Sequence, residues 1–144
     1  MVTFHYIEFK TFCHSTEDPD RVVLAMENAA RQELEIEIDE AEGYYGNEII
    51  ILESQISRNR EMDTFFDNLH EDIIRQIIDT LEKRIDERCN FYFRLDKEKA
   101  YNEEWGLSDG DNSIKVRARV ESYPSKRSTA VKKMQEYLSK RLKK

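Results

Sequence analysis

The chain has 144 residues, 39% hydrophobic and 37% charged, with a formal net charge of −7. That length suits a single domain over residues 1–144 with one modest core, and no apolar run approaches the ~20 residues of a membrane span. Four Gly, two Pro and no Ser/Gly-rich stretch exclude a linker or low-complexity segment, and two cysteines exclude a disulfide framework.

Val2 to Thr11 is rich in aromatic and β-branched residues and reads as a strand. It carries no basic-then-apolar leader, so no secretory signal is expected, and a reducing cytoplasm is the simplest compartment. Asp18 and Pro19 are a helix start: Asp caps orphan N–H groups and Pro suits the first helical position. Val22, Val23, Met26, Ala29 and Ala30 follow at helical spacing. Leu34, Ile36 and Ile38 then alternate with Glu33, Glu35 and Glu37, which predicts a half-buried strand. Residues 42–47 form a glycine-bearing loop, and Ile49 to Ile56 is a further strand.

A long helix is predicted over residues 59–86, ~40 Å at 1.5 Å per residue. Its buried stripe is Met62, Phe65, Phe66, Leu69, Ile73, Ile77, Leu81 and Ile85. Glu71–Arg75 and Asp79–Lys83 are acid-first pairs on its wet side. Phe91 to Leu95 is a short strand, and Asp96 caps a brief helix reaching Tyr101. A turn over Asp109 to Asn112 leads to a strand in which Ile114, Val116, Ala118 and Val120 alternate with Lys115, Arg117, Arg119 and Glu121. Tyr123-Pro124 ends it. Ser125 is the expected cap of a last helix with Val131, Met134, Leu138 and Leu142 on its apolar stripe. The order β-α-β-β-α-β-(α)-β-α, with clean alternation in most strands, predicts a two-layer α+β domain. Its sheet is mainly antiparallel, with helices on one face. The other face would carry Glu33, Glu35, Glu37, Lys115, Arg117 and Arg119.

Charge is unevenly distributed. Residues 1–113 hold 12 Lys/Arg against 28 Asp/Glu, whereas residues 114–144 hold 11 against 2. The acidic body therefore ends in a segment of formal charge +9, which attracts polyanions. Lys115, Arg117 and Arg119 repeat every ~6.7 Å along one side of a strand, close to the phosphate spacing of a nucleic-acid strand. Lys126 and Arg127 adjoin them at the helix start, and Tyr123 is placed to stack on a base. Arg94 and Lys97 flank Asp96 at the strand-to-helix junction, where local pairing with Asp96 competes with a phosphate contact. The bland alternatives are a Glu–Arg ladder across the sheet and cations serving the helix dipole.

Other chemistry is weak. Cys13-His14, His5 and His70 have no metal-ligand spacing, so no metal or cofactor is expected. An EF-hand from Asp109 would need Gly at position 114 and Glu at position 120, where Ile114 and Val120 stand. A weak Mg²⁺ contact at Asp109 and Asp111 is a minor option. Gly43-Tyr44-Tyr45-Gly46 lacks the spacing of a phosphate-binding loop, and its tyrosines are expected to pack on the sheet edge. No nucleophile, nucleotide fingerprint or carboxylate pair marks an enzyme.

Glu42-Gly43-Tyr44-Tyr45-Gly46-Asn47, followed by Ile49 to Glu53, resembles the E-G-x-Y-G-N…I-x-x-L-E stretch of a small archaeal family described as RNA-binding proteins and predicted exosome subunits. Arg94-Leu95-Asp96-Lys97 with Ala100-Tyr101 is similar to a later block of that family. So are Asp109-Gly110-Asp111 with Ile114-Lys115-Val116, and then Tyr123-Pro124-Ser125-Lys126-Arg127, in the same order. The resemblance spans about residues 3–140. It implies a fold like the 5S-RNA-contacting large-subunit ribosomal protein and a role beside the RNA-degrading exosome; it assigns no catalytic residue. The leading expectation is a non-enzymatic RNA-binding accessory factor using Lys115, Arg117, Arg119, Lys126 and Arg127, assisted by Tyr123, Arg94 and Lys97. The alternative is a protein-interaction or self-associating module, as a homodimer, whose acidic and basic faces complement each other. A metal-dependent hydrolase at Asp109 and Asp111 is a third reading.

Overall fold

The computed structural model describes residues 3–42, 46, 48–108 and 110–142. Strand β1 is Phe4–His14, helix α1 Pro19–Ala30, β2 Glu37–Glu42 and β3 Glu48–Ile56. Helices α2 (Asn59–Asp67) and α3 (Glu71–Asp79) and a 3-10 turn at Leu81–Lys83 precede β4 (Asn90–Asp96). The short α4 (Lys97–Tyr101), β5 (Ser113–Val120), α5 (Arg127–Ser139) and a 3-10 turn at Lys140–Leu142 complete the order. The strands form one five-stranded antiparallel sheet in the order β2-β3-β1-β5-β4. This is the expected α+β architecture.

The chain divides into two compact units. The first comprises residues 1–7, 56–93 and 117–144; the second comprises residues 8–55 and 94–116. The first unit has an aromatic core. Phe4 stacks on Phe66 at 5.1 Å between centroids, and Tyr137 meets both rings edge-on. Phe65, Phe91 and Phe93 extend the cluster, and Ile73, Ile77, Met134 and Leu138 of the same unit are buried as well. Such offset and edge contacts add to plain area burial. The second unit buries Phe9, Val22, Ala25, Met26, Ala29, Leu52, Leu95, Ile114 and Val116. Its α1 begins as expected, with Asp18 accepting from the Asp20 N–H at 3.0 Å and Pro19 in the first turn. Asp96 likewise caps α4 by accepting from Lys99 N–H. Asn28 of α1 donates to the Ala100 and Tyr101 carbonyls, and the Arg21 guanidinium lies 4.2 Å from the Tyr101 ring centroid.

Three expectations are corrected. The single helix over 59–86 is two helices and a 3-10 turn. His70 takes an extended backbone, and its Nδ1 accepts from Asp72 N–H, while Asn68 Nδ2 donates to the Thr64 carbonyl. These local bonds end one helix and start another. All eight residues of the expected stripe are nonetheless buried. Glu71 and Arg75 pair at 3.3 Å, whereas Asp79 and Lys83 fall in different elements.

The strand expected at Leu34–Ile38 lies later, at Glu37–Glu42, paired antiparallel with β3 so that Ile38 faces Leu52 and Glu37 faces Glu53. Glu33 and Glu35 therefore lie outside the sheet. β2 is an edge strand, with β3 and β1 between it and β5. Finally, α5 is entered through Lys126 with no side-chain cap bond, rather than capped by Ser125. Gly43, Tyr44, Tyr45, Asn47 and Asp109 lie outside the described residues.

Candidate nucleic-acid interface

In β5, Val116, Ala118 and Val120 are buried, while Lys115, Arg117 and Arg119 are half-buried on the opposite side of the strand. Lys115 belongs to the second unit, Arg117 and Arg119 to the first.

Within the first unit, the Arg117 guanidinium carbon is 5.8 Å from the Tyr6 ring centroid. Tyr92, on β4, is 40% exposed, and its hydroxyl donates to Asp86 Oδ2 at 3.0 Å. Asp86 also accepts from the Arg88 and Asn90 N–H groups and from Asn90 Nδ2. Burial alone would raise the Asp86 carboxyl, but these four bonds outweigh it and hold it below the usual aspartate range. Burial, followed by the bond to Asp86 and its charge, pushes the Tyr92 hydroxyl up, and the Arg117 charge and a hydrogen bond from Arg117 oppose the rise. Cys89, at φ 65, makes the tight turn that brings Asp86 opposite Asn90.

Five further cations of the carboxy-terminal segment differ in their partners. Arg119 and Lys126 make no ion pair with another described residue. Arg127 Nε donates to the Ile85 carbonyl at 2.9 Å, and its Nη2 donates to the Glu82 carbonyl. Lys133 donates to the Glu121 carbonyl. Arg141 reaches Asp67 at 3.0 Å and Asp63 at 3.7 Å, and lies 3.7 Å over the Tyr137 ring. Tyr123 is 98% exposed beside a cis bond to Pro124.

In the second unit, Lys115 Nζ is 5.2 Å and Lys10 Nζ 5.8 Å from the Phe12 ring centroid, and Lys10 also pairs with Glu53 at 3.6 Å. Arg94 Nη1 points to the Gly110 carbonyl at 3.4 Å rather than to Asp96, whose carboxylate caps α4. Lys97 is only 4% exposed. Its Nζ donates to the Phe12 carbonyl at 2.7 Å and to Glu17. Burial would raise the Glu17 carboxyl, but bonds from the His14 N–H and Lys97 bring it below the usual glutamate range. Cys13 is buried beside it, and burial, then the Glu17 charge, raises its thiol. Lys97 and Arg127 are thus structural donors, and of the cations expected to meet RNA, Lys115 and Arg117 lie beside aromatic rings. In the first unit Tyr6 and Tyr92 accompany Arg117, and in the second Lys10 and Phe12 accompany Lys115, without any motif to mark them; alternation places Tyr92, Lys10 and Phe12 opposite the core, whereas Tyr6 follows a break after buried Phe4.

A family model described as RNA binding matches residues 6–120. The chain belongs to that RNA-binding family. It is 36% identical over 143 residues to the RNA-binding protein PAB1135 of Pyrococcus abyssi, with 93% of each chain covered. It is also similar to the solved structure of Mth689, a DUF54 protein of Methanothermobacter thermautotrophicus. That match has 33% identity and a TM-score of 0.85 over 95% of this chain and 99% of the other. The crystal structure of AF2318 from Archaeoglobus fulgidus gives 35% identity and a TM-score of 0.84, covering 92% and 98%. The fold and the family agree.

Proposed function

We propose that this chain is a non-enzymatic RNA-binding protein whose first unit grips phosphates through Arg117 and Arg119, with Lys126 and Tyr123 nearby in sequence. Lys115 and Arg94 offer a separate cationic contact in the second unit. The observation that carries the reading is Arg117 set against Tyr6 on the half-buried side of β5 in a member of an RNA-binding family. Membership in the same family as a relative named an RNA-binding protein supports it. A role as a cytoplasmic accessory factor of the RNA exosome, and kinship with the 5S-RNA-contacting ribosomal protein, extend this reading through the sequence resemblance. The acidic edge strand β2, with Glu37, Asp39, Glu40 and Glu42 in six residues, is the surface it would turn to a basic protein partner or a second copy.

The test is binding to labelled RNA across a salt series. Wild type should bind in the micromolar range and lose affinity steeply as counterion release is suppressed. K115E/R117E/R119E should abolish binding while keeping the melting temperature, and unchanged binding would refute the site. Co-purification with exosome subunits, and sedimentation at low salt, check the partner readings.

A further inference from the structure

The geometry points to single-stranded RNA as the ligand of the first unit: we propose that Tyr92 and Tyr6 are stacking platforms for unpaired bases, with Arg117 on the strand between them. This rests on the RNA-binding reading and names the ligand class within it.

Three observations carry it. Tyr92 keeps 40% of its surface exposed, although a large aromatic ring on a strand ordinarily gains by being covered. Its hydroxyl is nevertheless tethered to Asp86 at 3.0 Å, and Asp86 is itself fixed by three further donors from Arg88 and Asn90. The ring is therefore both open and oriented before any ligand arrives, so little rotamer freedom is lost on stacking. Finally, Arg117 lies 5.8 Å from the Tyr6 centroid on β5, the strand between β1 and β4, which puts a cation where the backbone of a stacked nucleotide needs one. Arg119, two residues along the strand, stands ~6.7 Å farther on, a step suited to the next phosphate. Base faces are available only where RNA is unpaired; in a duplex they are covered by neighbouring pairs, and recognition falls to backbone and 2′-hydroxyl contacts.

The experiment compares a fluorescein-labelled 12-nucleotide uridine-rich RNA with a blunt RNA duplex of the same length, by anisotropy at fixed salt. The expected result is single-strand binding at least tenfold tighter than duplex binding. Y92A should weaken the single strand about 5- to 100-fold, and duplex binding less than twofold. Y92F, which keeps the ring and loses the tether, should weaken it only two- to threefold. Y92L keeps the bulk without the aromatic face and should behave as Y92A; thermal melting of each variant shows whether it is folded. Duplex binding equal to or tighter than single-strand binding overturns the proposal. So does unchanged single-strand binding in folded Y92A or Y92L, and if R117E still abolishes binding there, the RNA-binding reading survives alone. Wild type that binds neither RNA overturns both.

Discussion

The strand half and the helix half of the basic carboxy-terminal segment hold their positive charge in different ways. On α5 and the turn after it, Lys133 and Arg141 reach carbonyl or carboxylate oxygens, as Arg127 does at the helix start. These side chains fasten the helix to its unit. On β5, Lys115 and Arg117 lie against aromatic rings. A ring attracts a cation through its quadrupole, whereas a carbonyl or carboxylate oxygen holds it by a directed hydrogen bond. Similar residue types therefore serve as fasteners in one place and rest on aromatic rings in another.

The largest effects should come from separating the two halves. K115E/R117E/R119E should lower RNA affinity more than ~100-fold and reduce the salt slope by about 2, at ~0.7 per lost single-strand phosphate contact. R141A should do the reverse. It leaves Asp63 and Asp67 without their shared cation and should cost about 1–2 kcal/mol in urea unfolding, with RNA affinity within twofold. Loss of RNA binding in R141A, with stability intact, would erase the distinction.

Lys97 sharpens the comparison inside the second unit. K97M should destabilise by about 2 kcal/mol, because the Phe12 carbonyl and Glu17 lose a buried donor, yet leave RNA binding unchanged. Glu17 has a lowered folded-state pKa. Its contribution is present above the unfolded glutamate pKa and lost as pH falls through the folded value. Wild type should thus lose stability on acidification below the ordinary carboxylate range, and K97M should show a shallower acid limb in melts taken across that range. The smallest effect is expected for H70A, about 0.5–1 kcal/mol from the lost α3 cap, read by chemical unfolding with no change in binding.

Much of the fold was legible because its signals are local. Asp18-Pro19 and Asp96 cap helices as their chemistry requires, and β4, β5 and β1 from Ile7 onward alternate with the core on one side. The break at His70 was hidden because the apolar spacing continues through it: Leu69 and Ile73 are both buried, although one precedes and the other follows the break. The shift of β2 had a different cause. Glu33 to Ile36 alternate as a strand does, but pairing with β3 begins at Glu37, and pairing is a property of two segments. The candidate site was half legible. The β5 cations follow from composition and period, but nothing in the sequence shows that Arg127 and Lys97 turn inward to carbonyls. Nor does it show that β5 would lie between β1 and β4 and set Tyr6 beside Arg117.

A five-residue helix such as α4 closes too few bonds to offset its own nucleation. Its final carbonyls, which a free helix leaves to water, are taken by the Asn28 amide of α1. Opening α4 would strand that amide, and opening α1 would release those carbonyls. The pair should therefore melt as a single cooperative segment, with its backbone amides exchanging with solvent at a common rate.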